Sequence, residues 1–90
     1  MVQERREDGM AIQKVLIIDD ENLVRLSTSL LLKKKGFEVV CAADGNEGLG
    51  AADEERPDLI MLDIMMPGMD GWTVLEKLRA NEATREIPVV

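Results

Sequence analysis

Three acids close two apolar runs in this chain. Val15-Leu16-Ile17-Ile18 ends in Asp19-Asp20, and Leu59-Ile60-Met61-Leu62 ends in Asp63. A buried strand that stops at an acid and a tight loop is how an α/β sheet presents a reactive side chain at its carboxyl end. If the two strand ends meet, three carboxylates converge and repel one another, and a cation is the natural compensation. A few acids with open water positions make an all-oxygen site of the kind that suits Mg²⁺. A carboxylate held there can also attack phosphorus and become an aspartyl phosphate, with the cation neutralising charge on the transferred group. One acid at a strand end is more simply a cap. The combination of a double acid, a single acid and the loop Met65-Met66-Pro67-Gly68-Met69 favours a functional reading.

The elements that must position these acids can be read in order. Residues 1–13 form a polar leader, and residues 14–90 a single domain. The aliphatic run at 15–18 lacks alternation, which predicts a strand buried on both faces. Asn22 is the expected N-cap of a helix from Leu23 to Lys35. Leu23, Leu26, Leu30 and Leu31 are its expected core side, with Arg25, Ser29, Lys33 and Lys34 outside. Gly36 stands where a terminating glycine belongs. Phe37 to Ala42 reads as a second strand. Asp44-Gly45 caps a helix over Asn46–Glu55, weakened at Gly48 and Gly50 by about 1 kcal/mol each relative to alanine. Pro57 stops it. Asp58 to Asp63 is the third strand, Pro67-Gly68 a turn, and Asp70 the N-cap of a helix over Gly71–Ala80. After a linker, Ile87-Pro88-Val89-Val90 opens a fourth strand. This β-α-β-α-β-α-β order predicts an α/β fold: a parallel sheet with right-handed crossovers and helices on both faces.

Composition narrows the possibilities. Ninety residues with 46% hydrophobic and only 2% aromatic content imply one small aliphatic core. A net charge of -7 argues against direct nucleic-acid binding. The one basic run, Lys33-Lys34-Lys35, complements a helix C-terminus. With no histidine, triads, imidazole ligands and a phosphohistidine donor site are excluded. A single cysteine, Cys41, precludes an intrachain disulfide and suits a reducing compartment. It is expected to be a small buried hydrophobe. No apolar run approaches the roughly 20 residues of a membrane span, so a cytoplasmic location is expected. Met61, Met65, Met66 and Met69 are soft and serve packing rather than this hard site.

Val15 to Glu21 and Asp58 to Gly71 together resemble the receiver domains of two-component response regulators. The resemblance extends over residues 14–90 and implies a flavodoxin-like sheet, here with strand order 2-1-3-4. It implies that Asp63 is the phosphoacceptor. Asp20 would be the direct Mg²⁺ ligand of the acid pair, and Asp19 would assist directly or through water. The backbone carbonyl of Met65 would complete the protein ligands. Pro67 and Gly68 would shape the loop that admits the phosphoryl group. A histidine kinase or a phosphotransfer protein is the implied donor.

The family also places a serine or threonine after strand 4 and a lysine after strand 5, and neither falls within residues 1–90. The fifth strand and last two helices are absent too. The expectation is therefore a truncated receiver with impaired phosphorylation, either a fragment of a longer protein or a self-associating chain. The expected form is a homodimer or domain-swapped dimer through an exposed strand-4 edge. A receiver-like interaction fragment that does not switch is one alternative. An Asp-nucleophile phosphohydrolase is the other, disfavoured because Asp20-Glu21-Asn22 is not the Asp-x-Asp that chemistry uses. The chain is thus not expected to be an enzyme.

Overall fold

The computed structural model describes residues 12–66 and 68–90. Most of the leader, and Pro67 of the expected turn, lie outside them. The described elements are β1 (Lys14–Ile18), α1 (Asn22–Lys34), β2 (Glu38–Ala42), α2 (Gly45–Glu55), β3 (Leu59–Leu62) and α3 (Gly71–Ala80). The strands are all parallel, in the order β2-β1-β3. The expected fourth strand contributes one parallel bridge, Ile60 to Val89, on the open side of β3. The order 2-1-3-4 therefore holds, with the last member reduced to a single pairing.

β1 is central, which explains its unbroken aliphatic run. Its alternate side chains enter two cores. Leu16 and Ile18 join Ala42, Ala52, Ile60, Val74 and Leu78 beneath α2 and α3. Val15 and Ile17 join Ile12 on the α1 side, against Leu32, Phe37, Val39, Leu59 and Met61. Each such burial is worth about 1.5–3 kcal/mol, so β1 anchors both layers. Ile12 is buried as well, and the Gln13 and Lys14 N–H groups both donate to Asp58 Oδ2 at 3.0 and 2.9 Å. Ile12 and Gln13, expected in the polar leader, are thus part of the packed fold.

The helices form where their caps allow. Asp44 caps α2 by accepting from the Glu47 N–H at 2.8 Å, and Asp70 caps α3 by accepting from the Thr73 N–H at 2.8 Å. α2 tolerates its glycines for two different reasons. A Cβ at Gly48 would sit 2.6 Å from Ile18 Cδ1, so this glycine lets α2 close on the sheet, whereas Gly50 faces open space.

Three expectations are corrected. Asn22 does not cap α1: Glu21 holds that position without a side-chain bond, and Asn22 begins the helix. The apolar side of α1 is also reversed. Ser29 is its buried residue, with Arg25, Thr28 and Leu32 half-buried beside it. Leu23, Leu26, Leu30 and Leu31 point outward at 77, 56, 59 and 55% exposure. Small Ser29 lets the helix approach the sheet, where a leucine would hold it off. Cys41 is exposed rather than buried, and it lies on β2, the outer strand of the described sheet. Among the described residues, no helix is long and apolar enough to cross a membrane.

Candidate metal centre

The strand register brings the acids together. Ile18 pairs with Leu62 across β1 and β3, so the next residues, Asp19 and Asp63, leave the sheet side by side. The Asp63 N–H donates to the Ile18 carbonyl at 2.9 Å, and the Asp19 N–H donates to the Ala42 carbonyl at 3.1 Å. Both strand ends are therefore clamped to their neighbours before the side chains diverge. Alternation along the strands puts Asp19 with Ile17, and Asp63 with Met61, on the α1 face. These four residues, with Val24, Thr28 and Val90, line an open groove of about 250 Å³.

Asp19, Asp20 and Asp63 each offer one carboxylate oxygen, and these oxygens all lie within 4.8 Å of one another. Mg²⁺ binds oxygen at 2.0–2.1 Å, so two of its ligands are at most about 4.2 Å apart. The cluster fits that ion with a small inward adjustment, or with one acid acting through water. The donor set is hard and anionic, as Mg²⁺ prefers. The sequence-predicted acids are thus all brought together.

Local hydrogen bonds orient two of the three acids. Asp19 Oδ1 accepts from the Glu21 N–H at 2.9 Å, which turns the chain into α1. Asp63 Oδ1 accepts from the Met65 N–H at 3.0 Å, which sets residue 65 beside the acceptor. The other Asp63 oxygen takes no hydrogen bond from the described residues. Gly68 has φ +80, the left-handed backbone that glycine adopts without strain, consistent with the expected turn. Met66 is buried in the α2/α3 core while Met65 is 86% exposed. The loop is therefore pinned at one residue and free at the one before it.

Two site residues escaped the sequence reading. Arg25 turns inward, and its guanidinium donates to the Asp19 carbonyl at 2.7 Å while also reaching Asn22 Oδ1. It fastens the β1–α1 turn that carries Asp19 and Asp20. Its position six residues after Asp19 was the available signal, hidden by the assumption that α1 faces inward with its leucines. Gly71 is the second. A Cβ there would lie 2.3 Å from Ile64 Cα and 2.8 Å from the Asp63 carbonyl oxygen. Its N–H donates to the Ile64 carbonyl at 3.0 Å. Only glycine lets the start of α3 rest on the backbone that carries the acceptor.

Comparison with known proteins agrees with this geometry. The model of the response regulator receiver domain matches residues 15–90. The DNA-binding dual master transcriptional regulator RpaA of Synechocystis sp. (strain ATCC 27184 / PCC 6803 / Kazusa) is 44% identical over 77 residues, 86% of this chain and 32% of that protein. The chain thus spans about a third of that relative's length. The N-terminal domain of a response regulator receiver protein from Methanoculleus marisnigri JR1 superposes with a TM-score of 0.82 at 39% identity, over 84% of this chain and 62% of that one. The receiver domain of the sensor histidine kinase PA1611 from Pseudomonas aeruginosa PAO1 has a magnesium ion coordinated in its active site cleft. It superposes with a TM-score of 0.81 at 29% identity, over 88% of this chain and 65% of that one. In sequence and in the flavodoxin-like arrangement of its strands, this chain belongs to the family of response regulator receiver domains.

Proposed function

We propose that this chain is the phosphoacceptor module of a two-component system, with Asp63 as the residue phosphorylated. The observation that carries the reading is the convergence of Asp19, Asp20 and Asp63 within 4.8 Å at one end of the sheet. Asp20 and Asp63 would hold Mg²⁺ directly, with Asp19 in support and the Met65 carbonyl as a further ligand. The bound cation supplies charge neutralisation for the incoming phosphoryl oxygens. The chain's own part is to fix the nucleophile. The Met65 N–H holds one Asp63 oxygen, and the other attacks phosphorus. The new bond is Oδ–P. The bond that breaks is the P–N bond of a phosphohistidine donor, whose imidazole departs, or the P–O bond of acetyl phosphate.

The donor that membership of the receiver family points to is a histidine kinase or a phosphotransfer protein, and this chain has no histidine that could itself carry the phosphoryl group. The PA1611 receiver, part of a sensor histidine kinase, supports that pairing. Among the described residues no lysine lines the acid groove. Transfer is therefore expected to be slow, and turnover of other phosphoesters absent. A cytoplasmic setting fits the single unpaired cysteine.

Mg²⁺ titration tests the metal half of the reading. Trp72, exposed at the start of α3, reports the binding by fluorescence. Asp20→Asn and Asp63→Asn should each weaken binding by about tenfold or more while leaving the helical signal intact. Equal affinity in the parent and both variants would exclude the acid cluster as the metal site.

A further inference from the structure

Arg25 lies one turn into α1, and its side chain runs back over the start of the helix, the direction helical side chains take. Its Nη1 donates to the Asp19 carbonyl at 2.7 Å, and its Nη2 reaches Asn22 Oδ1. Among the described residues nothing else donates to that carbonyl. The carbonyl oxygen shares one rigid peptide plane with the N and Cα of Asp20. On the other side of the same residue, the Asp19 N–H is fixed to the Ala42 carbonyl at 3.1 Å. With both sides of Asp19 held, the direction in which Asp20 leaves the strand is set.

Asp20 depends on this support more than its neighbours do. Asp19 Oδ1 accepts from the Glu21 N–H, and Asp63 Oδ1 from the Met65 N–H. The Asp20 carboxylate is exposed and takes no hydrogen bond from the described residues. Its place within 4.8 Å of the other two acids therefore rests on the backbone beneath it.

We propose that Arg25 is a positioning residue of the acid cluster, which holds the Asp19–Asp20 peptide so that Asp20 stays turned toward Asp19 and Asp63. The inference rests on the reading of that cluster as a Mg²⁺ site. Charge and geometry oppose one another here. The guanidinium is always cationic, and a cation beside the cluster repels a second one. Yet its donors go to two neutral oxygens, and among the described residues it forms no ion pair with the three acids. The carboxylates are thus left open to a metal. If Arg25 acted through charge alone, its removal would tighten Mg²⁺ binding. Because it acts by holding the peptide plane, its removal loosens Asp20 and weakens binding. The fixed fork of arginine serves both oxygens at once, where lysine is a single point charge.

Mg²⁺ titration of the full 90-residue chain through Trp72 fluorescence tests the proposal. Arg25→Ala should weaken binding by about tenfold with the helical circular dichroism retained, since alanine suits a helix. Arg25→Lys keeps the charge and one point of contact, and should fall between Arg25→Ala and the parent. Lys34→Ala removes a charge from an exposed position at the far end of α1, and should stay within about twofold of the parent. A readout without metal separates positioning from general loosening. The Glu21 N–H rests on Asp19 Oδ1 at 2.9 Å and so reports the order of the turn. In the metal-free chain its hydrogen exchange should quicken about threefold or more in Arg25→Ala, with the β1 amides unchanged. Mg²⁺ binding in Arg25→Ala as tight as in the parent or tighter, Arg25→Lys no better than Arg25→Ala, or unchanged exchange at Glu21 would overturn the inference alone. A parent that binds no Mg²⁺, or that binds it no better than Asp20→Asn, would overturn the underlying reading and the inference with it.

Discussion

Replacing Gly71 with alanine should damage the fold and the metal centre together. Apolar atoms pack at about 3.5–4.0 Å, yet the new Cβ would lie 2.3 Å from Ile64 Cα. The overlap exceeds about 1 Å, and it is with backbone, which cannot rotate away. A second contact, 2.8 Å to the Asp63 carbonyl oxygen, closes the sideways escape. Overpacking of this kind costs about 1–3 kcal/mol or more. Alanine's helix preference returns at most about 1 kcal/mol. The net loss should be about 2 kcal/mol, from a total of roughly 5–13 kcal/mol for a chain of this size. Relief requires either that α3 retreats or that the Asp63–Ile64 backbone shifts. In both cases the carboxylate moves relative to Asp19 and Asp20, and Mg²⁺ affinity should fall with stability. Urea unfolding followed by far-ultraviolet circular dichroism measures the first effect, and Mg²⁺ titration through Trp72 fluorescence the second. Gly50→Ala is the matched control: nothing lies within 4 Å of its Cβ, and it should stabilise the fold by up to about 1 kcal/mol. If Gly71→Ala proves as stable as the parent and binds Mg²⁺ equally well, the close approach of α3 to the acceptor does not support the site.

Two further predictions concern pH. The Thr73 N–H beside Asp70 holds its carboxyl below the usual carboxylate range. That contribution is present above the unfolded value of about 3.9 and is lost as pH falls through the lower folded value. Asp70→Asn should therefore lose less stability than the parent on acidification, measured as the urea midpoint at successive pH values. Lys14 has the opposite sign. Its hydrogen bond to Glu55, joined by the nearby charge of Glu38, raises its ammonium above the ordinary lysine value. Its contribution is complete below the unfolded value of about 10.4 and is lost as pH rises through the folded one. Lys14→Met should flatten the alkaline limb of the stability profile.

The sheet and its site were legible in the sequence because they rest on local, one-dimensional signals. The aliphatic run at 15–18 could be satisfied only by burial on both faces, and a strand buried on both faces is central. Once β1 and β3 pair in parallel, the equal placement of Asp19 and Asp63 after their apolar runs makes the acids neighbours. The caps at Asp44 and Asp70 were legible for the same reason, since each bond spans only three residues. The orientation of α1 was not. Periodicity says which side chains share a face, but not which face meets the sheet. That depends on how closely the helix can approach, and small Ser29 outweighed four leucines. Cys41 failed for a related reason. Val39 to Ala42 looks like an interior strand, and only the assembled order shows that β2 is an edge. Gly71 was hidden because its role is an absence, the space a Cβ would have taken from Ile64.

The central claim is that Asp63 accepts a phosphoryl group with Mg²⁺ held by its neighbours. It is tested most directly by intact-mass spectrometry of the 90-residue chain incubated with acetyl phosphate, followed by mapping of the modified residue. The account predicts slow addition of a single phosphoryl group on Asp63, abolished by EDTA and by Asp63→Asn. Addition that survives in Asp63→Asn, or that proceeds equally well without a divalent cation, would contradict it.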